Sequence, residues 1–174
     1  MTSELCLRSA GLQDAEQLVE LINAAYRGAS SKLGWTSEAD FLDGGRTDSR
    51  EIMQLLTETN SLLLICGDDR KLLGSIHAHY RENQAEMGMF AVSPLHQGRG
   101  IGKRLLEFAE STARQTWEVR QFVMQVIPQR AELIAFYERR GYRRTGVYSP
   151  FPVNPHLWTP KAPDLRLELL EKLL

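Results

Sequence analysis

Cysteine is scarce in this sequence, with two residues among 174. Cys6 and Cys66 lie far apart and belong to no Cys-x-x-Cys or histidine–cysteine cluster, which excludes the common zinc frameworks. Both lie in apolar runs, where a thiol is typical of a packed core. A chain of this length buries about 70% of its unfolded surface, so its core needs neither disulfide nor metal. We expect one domain, 1–174, in the reducing cytoplasm.

A strong excess of one charge and a long apolar run are also missing. Lys and Arg total 21 against 22 Asp and Glu, and 43% of the residues are hydrophobic. Nucleic-acid-binding domains usually carry a basic excess, and disordered chains are less apolar. No apolar run approaches the ~20 residues of a membrane helix, and residues 1–8 do not resemble a signal peptide. We therefore expect a soluble globular protein that binds neither nucleic acid nor membrane.

What the sequence does contain is a regular series of strand and helix patterns. β-branched, aromatic or alternating apolar residues predict strands at 5–8, 61–66, 72–80, 85–92, 119–127, 142–148 and 165–170. Apolar residues at helical spacing predict helices at 14–25, 50–58, 101–117 and 130–140. Short turns between 61 and 92 predict an antiparallel meander. The order β-α-α-β-β-β-α-β-α-β-β indicates an α/β (α+β) domain.

A glycine-rich segment, QGRGIGK from Gln97 to Lys103, follows a predicted strand and opens a predicted helix. Glycines let several free N–H groups point to one place, and a helix start adds unpaired donors and partial positive charge, so the segment favours a phosphate or pyrophosphate. A dinucleotide fingerprint fails because Lys103 replaces its third glycine, and a P-loop fails because Gln97 replaces its first. The alternative is a glycine-rich turn without a ligand.

A different pattern, Q/R-x-x-G-x-G/A, is met by Gln97, Gly100 and Gly102. Together with the preceding MGMFAVSP at 87–94, it resembles the acetyl-CoA-binding motif of the GNAT N-acetyltransferase superfamily. The element order is also that family's order over nearly the whole chain. The resemblance implies a single-domain GNAT fold, with a mixed, mostly antiparallel central sheet of about seven strands flanked by four helices.

The resemblance implies acetyl-CoA as the acyl donor. The backbone amides of residues 97–103 are expected to hold its pyrophosphate, and the strand at 90–92 to pair with pantetheine along an edge that splays from the next strand. Arg130 stands where the family often has asparagine and is expected to reach a phosphate or the acceptor. The residues expected to bind the cofactor are Phe90, Ala91, Val92, Gln97, Gly98, Arg99, Gly100, Ile101, Gly102, Lys103 and Arg130.

A second motif, at 133–142, resembles the family pattern A-x-x-x-Y-x-x-x-G-F. The resemblance implies that Tyr137 protonates the departing thiolate as general acid; packing alone is the alternative. Glu86 occupies the position of the general base in the histone-acetylating branch, with a solvated strand-end carboxylate as the alternative. Strand alternation places Glu86 on one face with Phe90 and Val92. The basic run at 139–144 is expected to be a solvated helix end.

By the same resemblance, the segments 28–48 and 150–163 cover the acceptor amine. The first is glycine-rich and the second proline-rich, and long irregular segments are often functional. Carboxylates such as Glu38 and Asp40, set among aromatic residues, are suited to a cationic amine. The residues expected to line the acceptor site are Tyr26, Trp35, Phe41 and His77.

Taken together, these patterns predict acetyl-CoA-dependent acetylation of a primary amine, in a small molecule or peptide, by direct transfer in a ternary complex. The alternative is a non-catalytic acyl-CoA-binding sensor or interaction module. His77 and His79 share a strand face, but no third ligand accompanies them, so no metal is expected. A monomer or a homodimer is expected.

Overall fold

The computed structural model describes residues 5–34, 37–68 and 70–174, without the side chains of residues 28 and 29. Within them, the strands are β1 (Cys6–Ser9), β2 (Leu42–Gly44), β3 (Ser61–Gly67), β4 (Leu72–Arg81), β5 (Gln84–Val92), β6 (Gln121–Val126), β7 (Arg143–Pro150), β8 (Trp158–Pro160) and β9 (Arg166–Leu173). The helices are α1 (Ala15–Tyr26), α2 (Gly28–Ser31), α3 (Ser49–Thr57), α4 (Ile101–Thr116) and α5 (Ala131–Glu138).

The predicted order is confirmed, and α2, β2 and β8 are additions within the two segments predicted as irregular. No helix in the described ranges is long and apolar enough to cross a membrane.

Seven strands form one sheet in the order β1-β3-β4-β5-β6-β9-β7. β5 and β6 are parallel, and every other neighbouring pair is antiparallel. The predicted meander is β3-β4-β5, and its second turn consists of Glu82 and Asn83, whose φ angles are 51° and 64°. Two central residues with positive φ form the turn that matches the right-handed twist of a hairpin. The predicted mixed, mostly antiparallel sheet is therefore confirmed.

The helices cover both faces of the sheet. Leu105 of α4 and Ile134 of α5 pack with the sheet in one hydrophobic core. Ile22 of α1 and Ile52 of α3 pack with the opposite face in a second core. The four helices that the sequence predicts, α1, α3, α4 and α5, each bury apolar residues against the sheet.

β5 contains a bulge at Met89. Ser75 of β4 pairs with Ala91, whereas His77, two residues further along β4, pairs with Gly88. β5 therefore carries one residue more than β4 in this interval. Met89 takes up the irregularity with a φ of 43°, a left-handed conformation that residues other than glycine seldom adopt.

The bulge changes which side chains of β5 share a face. Ala85 and Met87 belong to the core beneath α4 and α5, and Phe90 and Val92, beyond the bulge, pack against the same core. In a regular strand, these two pairs would point to opposite faces. Glu86 therefore lies on the face opposite Phe90 and Val92, and the prediction that the three share a face is wrong.

The centre of the sheet is forked. β5 and β6 pair from Gln84–Gln121 to Met87–Met124, and their pairing ends there. Residues 88–92 keep β4 as a neighbour on one side, while no strand of the described chain pairs with them on the other. The main chain of β5 thus has an open edge in the middle of the sheet, as the family resemblance implies.

The two segments that the sequence predicts as irregular are joined to each other. β2 and β8 pair antiparallel, from Leu42–Pro160 to Gly44–Trp158. Leu42 packs beneath them with Ile127 in a small third cluster. This two-stranded sheet fixes both segments over the end of the forked sheet.

Candidate active site

Two cavities lie beside the fork and share Phe90 and Leu133 in their walls. We call the first the loop cavity, because residues 97–103 and the end of β5 form it; its volume is about 230 Å³. We call the second the central cavity; it is lined by β5, β6, α5 and the segments joined by β2 and β8, and its volume is about 210 Å³.

The loop cavity has the backbone geometry of an anion site. Gly98 and Gly100 have φ angles of 78° and 77°, and no heavy atom lies within 4 Å of the place where a Cβ would stand on either residue. α4 begins at Ile101, so its first amides lack a carbonyl partner one turn earlier. The loop thus leaves open space next to backbone donors, in the arrangement that a phosphate group requires.

Most of the residues expected to bind the cofactor line this loop cavity. They are Phe90, Val92, Gln97, Gly98, Gly100, Ile101, Gly102 and Lys103. The side chain of Ala91 is buried in the core beneath α1 and α3, which leaves its main chain as the group it can offer. Arg99 is exposed on the loop, and Arg130 lines the central cavity instead.

Arg140 lines the loop cavity, although the sequence predicts a solvated helix end for this basic run. Its guanidinium carbon lies 3.6 Å from the centre of the Phe136 ring, and its Nη1 donates to the Phe136 carbonyl at 2.7 Å. Its Nε is buried without a hydrogen-bond partner, and burial and the neighbouring Arg139 lower the pKa of Arg140. Its position four residues after a cavity-facing aromatic is the sequence signal that could have revealed it.

Tyr137 lies in the wall of the central cavity, and only 5% of it is exposed. Its ring centre is 6.2 Å from that of Phe90, 5.4 Å from that of Phe136 and 5.9 Å from that of Tyr142. Burial raises the pKa of the Tyr137 hydroxyl above its usual value. The phenol is therefore protonated at physiological pH and can donate a hydrogen bond or a proton.

Glu86 lines the same cavity as Tyr137, from an exposed position. Its Oε1 accepts a hydrogen bond from Nε2 of Gln125 at 3.1 Å. The Oε1 of Gln125 in turn accepts from Oγ of Ser149 at 3.1 Å. The structure thus brings the two residues predicted to be catalytic into one cavity, and β6 and β7 hold the orientation of the carboxylate.

Not all of the residues expected to line the acceptor site lie in the central cavity. Tyr26 lines the central cavity, whereas Trp35 lies outside the described residues. Phe41 packs beneath β2 and β8 with the third hydrophobic cluster. His77 lines an adjoining cavity on the α3 side, where its Nε2 is 2.8 Å from Oγ of Ser61.

Charged residues form part of the wall of the central cavity. Nη2 of Arg27 donates to Oε2 of Glu38 at 2.8 Å, and Nη1 of Arg130 donates to Oε1 of Glu38 at 2.9 Å. The three side chains are 2%, 9% and 7% exposed, respectively. Each carboxylate oxygen of Glu38 therefore accepts a hydrogen bond from a different arginine. Glu38 and Arg130 are separate candidates in the sequence, which reveals neither their pairing nor the part of Arg27.

Comparisons with known proteins agree with this arrangement. The model of the acetyltransferase (GNAT) family matches residues 16–142. An acetyltransferase of GNAT family from Streptococcus pneumoniae is 21% identical, covers 98% of this chain and 100% of its own, and superposes with a TM-score of 0.72. A search of the curated proteins found no match.

Two further solved structures share the fold. The ribosomal-protein-S18-alanine N-acetyltransferase from Escherichia coli is 13% identical, with 98% of this chain and 94% of that chain covered and a TM-score of 0.72. The PaiA N-acetyltransferase from Thermoplasma acidophilum, solved in complex with coenzyme A, is 18% identical, with 98% and 99% covered and a TM-score of 0.66. Because the family model matches most of the chain and these structures share its fold, the protein belongs to the GNAT acetyltransferase family.

Proposed function

We propose that this protein transfers an acetyl group from acetyl-CoA to a primary amine of a small molecule or peptide, in a direct ternary complex. One observation carries the proposal: the fork between β5 and β6 places the loop cavity beside a second cavity that contains Tyr137 and Glu86. An acyl donor in the loop cavity and an amine in the central cavity can thus come into contact beside the open edge of β5. The acetyl group can then pass directly from one to the other, without a covalent enzyme intermediate.

The loop cavity suits coenzyme A, whose thioester supplies the activated acetyl group. The amides around Gly98 and Gly100 are available to its pyrophosphate, and Lys103 and Arg140 add positive charge in the same wall. The unpaired edge at residues 88–92 offers main-chain groups to the amide-bearing arm. The relative from T. acidophilum that was solved with coenzyme A supports the same donor.

The central cavity provides for the proton transfers. An ammonium group with a pKa of about 10 must first lose a proton, which Glu86 accepts. The nitrogen then attacks the thioester carbonyl carbon, the carbon–sulfur bond breaks, and Tyr137 donates its proton to the sulfur. The second proton that the nitrogen loses on becoming an amide restores Tyr137, so one proton in total leaves through Glu86.

The test is a measurement of CoA release over a panel of primary amines, with the wild-type protein and Tyr137→Phe. We expect turnover with at least one amine and a kcat lowered about 100-fold or more in Tyr137→Phe, because the variant lacks the proton for the sulfur. Tyr80→Phe is the matched control: Tyr80 stacks on Trp117 at 5.3 Å, away from both cavities, and should keep wild-type kcat. Tight acetyl-CoA binding with no turnover on any amine would instead support the sensor or interaction module.

A further inference from the structure

The charges of the central cavity do not match the acceptor that the sequence suggests. The carboxylates of the segment 28–48 are expected to attract a cationic amine, but Glu38 is already held by Arg27 and Arg130. The Asp40 side chain is 84% exposed and pairs with Lys32, outside the cavity wall. Neither carboxylate is therefore available to a second ammonium group of the acceptor.

The same wall contains a surplus of positive charge. Its charged side chains are three arginines, at 27, 46 and 130, and two glutamates, Glu38 and Glu86, which gives 3 − 2 = +1. Glu38 is shared between two of the arginines. The charged side chains outside this group are Arg46 and Glu86, and no salt bridge joins them within the described ranges of the chain.

Arg46 is held in place without a counterion. No salt bridge of Arg46 is found in the part of the chain that the structure describes. Its guanidinium carbon lies 5.6 Å from the ring centre of Tyr26 and 5.8 Å from that of Trp158. Its backbone N–H donates to Oδ1 of Asn23 at 2.7 Å. The hydrogen bond thus holds the backbone of Arg46, the two rings flank its guanidinium, and no hydrogen bond of that guanidinium is found among the described residues.

We propose that the acceptor carries a carboxylate in addition to its primary amine, and that Arg46 binds this carboxylate while the amine faces Glu86. The substrate class is an amino acid or a small molecule with an amino-acid end. The proposal rests on the acetyl transfer proposed above and specifies its acceptor. A guanidinium matches a carboxylate with two parallel N–H donors, and the surplus positive charge also favours the neutral amine that attacks the thioester.

The experiment compares matched pairs of acceptors that differ only in the carboxylate. Suitable pairs are phenylalanine with phenethylamine, methionine with 3-(methylthio)propylamine, and lysine with cadaverine; O-phosphoethanolamine with ethanolamine tests a phosphate instead. kcat/KM is measured for each, and the affinity of each acceptor for the protein–CoA complex is measured by calorimetry. We expect the carboxylated member to be preferred roughly 10- to 100-fold in at least one pair, in both measurements.

Three variants assign the preference to Arg46. Arg46→Gln is expected to remove it by weakening the carboxylated member alone, and Arg46→Lys is expected to retain part of it because the charge remains. Arg114→Gln is the matched control: Arg114 also lies over an aromatic ring, that of Phe122 at 5.9 Å, but on α4 outside both cavities, and should leave the preference unchanged. Unchanged acetyl-CoA affinity in all three variants shows that the fold is intact.

The outcomes separate this proposal from the proposed function. CoA release with no preference for the carboxylated members, a preference confined to the phosphate pair, or an equal effect of Arg46→Gln on both members overturns the carboxylate site and leaves acetyl transfer standing. Tighter binding of the carboxylated members that depends on Arg46, with no CoA release from any amine, supports the carboxylate site and overturns acetyl transfer.

Discussion

Gly100 determines how α4 begins beside the loop cavity. Its φ and ψ angles are 77° and 2°, in the left-handed region, and the helix starts at the next residue. Side chains other than glycine or asparagine cost roughly 1–2 kcal/mol there. The amides that a pyrophosphate would use are oriented by this single backbone conformation.

We predict that Gly100→Ala weakens acetyl-CoA binding about tenfold, because the strained loop turns its amides away from the anion. The comparison variant is Gly102→Ala. Gly102 lies within the helix, and a Cβ there would be in ordinary contact, 3.5 Å from Phe90 and 3.6 Å from Phe136. Calorimetric titration with acetyl-CoA should therefore show a smaller loss for Gly102→Ala. Equal losses would show that space in the cavity, and not backbone conformation, limits binding.

The glycine loop can be predicted from the sequence because its chemistry is local: Gln97 to Lys103 are consecutive, and their backbone conformation follows from glycine itself. Arg46 is a different case. In the sequence, it is a basic residue in a polar context, indistinguishable from a surface cation. The fold places Arg46 in the wall of the central cavity between Tyr26 and Trp158, and Trp158 is more than a hundred positions away in the sequence.

At the scale of elements, the pairing of β2 with β8 depends on Gly44. Its φ is 98°, and a Cβ on this residue would overlap the carbonyl oxygen of Leu157. The next residue donates its N–H to that carbonyl at 2.8 Å. Trp158 is the next residue after Leu157 and begins β8. Its ring centre lies 5.8 Å from the guanidinium carbon of Arg27 and 5.8 Å from that of Arg46. The junction therefore positions one aromatic wall of the central cavity.

We predict that Gly44→Ala raises the KM for the acceptor about tenfold and leaves acetyl-CoA affinity unchanged, because it separates β2 from β8 far from the loop cavity. Gly45→Ala is the control: a Cβ there lies 3.5 Å from its nearest neighbour, Oδ1 of Asn23, which is ordinary contact. Steady-state kinetics with varied acceptor, together with acetyl-CoA titrations, test both variants. An unchanged KM in Gly44→Ala would mean that the two segments do not shape the acceptor site.

The longer strands and helices can be predicted from the spacing of their apolar residues, because each of them buries an apolar face. β2 and β8 are missed because three residues in each are too few to show alternation. The bulge at Met89 is missed for another reason. One inserted residue leaves the sequence pattern of β5 intact while it reverses the faces, so only the pairing with β4 reveals it.

For the whole molecule, His77 links stability to pH. Burial and the neighbouring His79 lower the pKa of His77 to about 4, against 6.5 in an unfolded chain. Between these values the unfolded chain binds a proton that the folded protein does not. The contribution of His77 to stability is therefore fully present above pH 6.5 and is lost as the pH falls towards 4.

We predict that the wild-type protein loses about 3 kcal/mol more stability than His77→Gln between pH 7 and pH 4. Denaturant titrations over this range measure the free energy of unfolding of both proteins. Carboxylates titrate in both, so their contribution cancels when the two free energies are subtracted. His156→Gln, at an exposed position, is expected to follow the wild-type curve. Parallel curves for the wild type and His77→Gln would contradict the burial of a neutral imidazole at this position.

The pairing of β2 with β8 has a consequence for how acceptor choice can be altered. Residues 42–44 and 158–160 are separated by more than a hundred positions, yet their backbones share one register. A replacement of either segment alone leaves an unmatched partner strand and a displaced Trp158. We therefore expect a chimera to adopt the acceptor choice of a relative only when residues 37–48 and 150–163 are both taken from that relative.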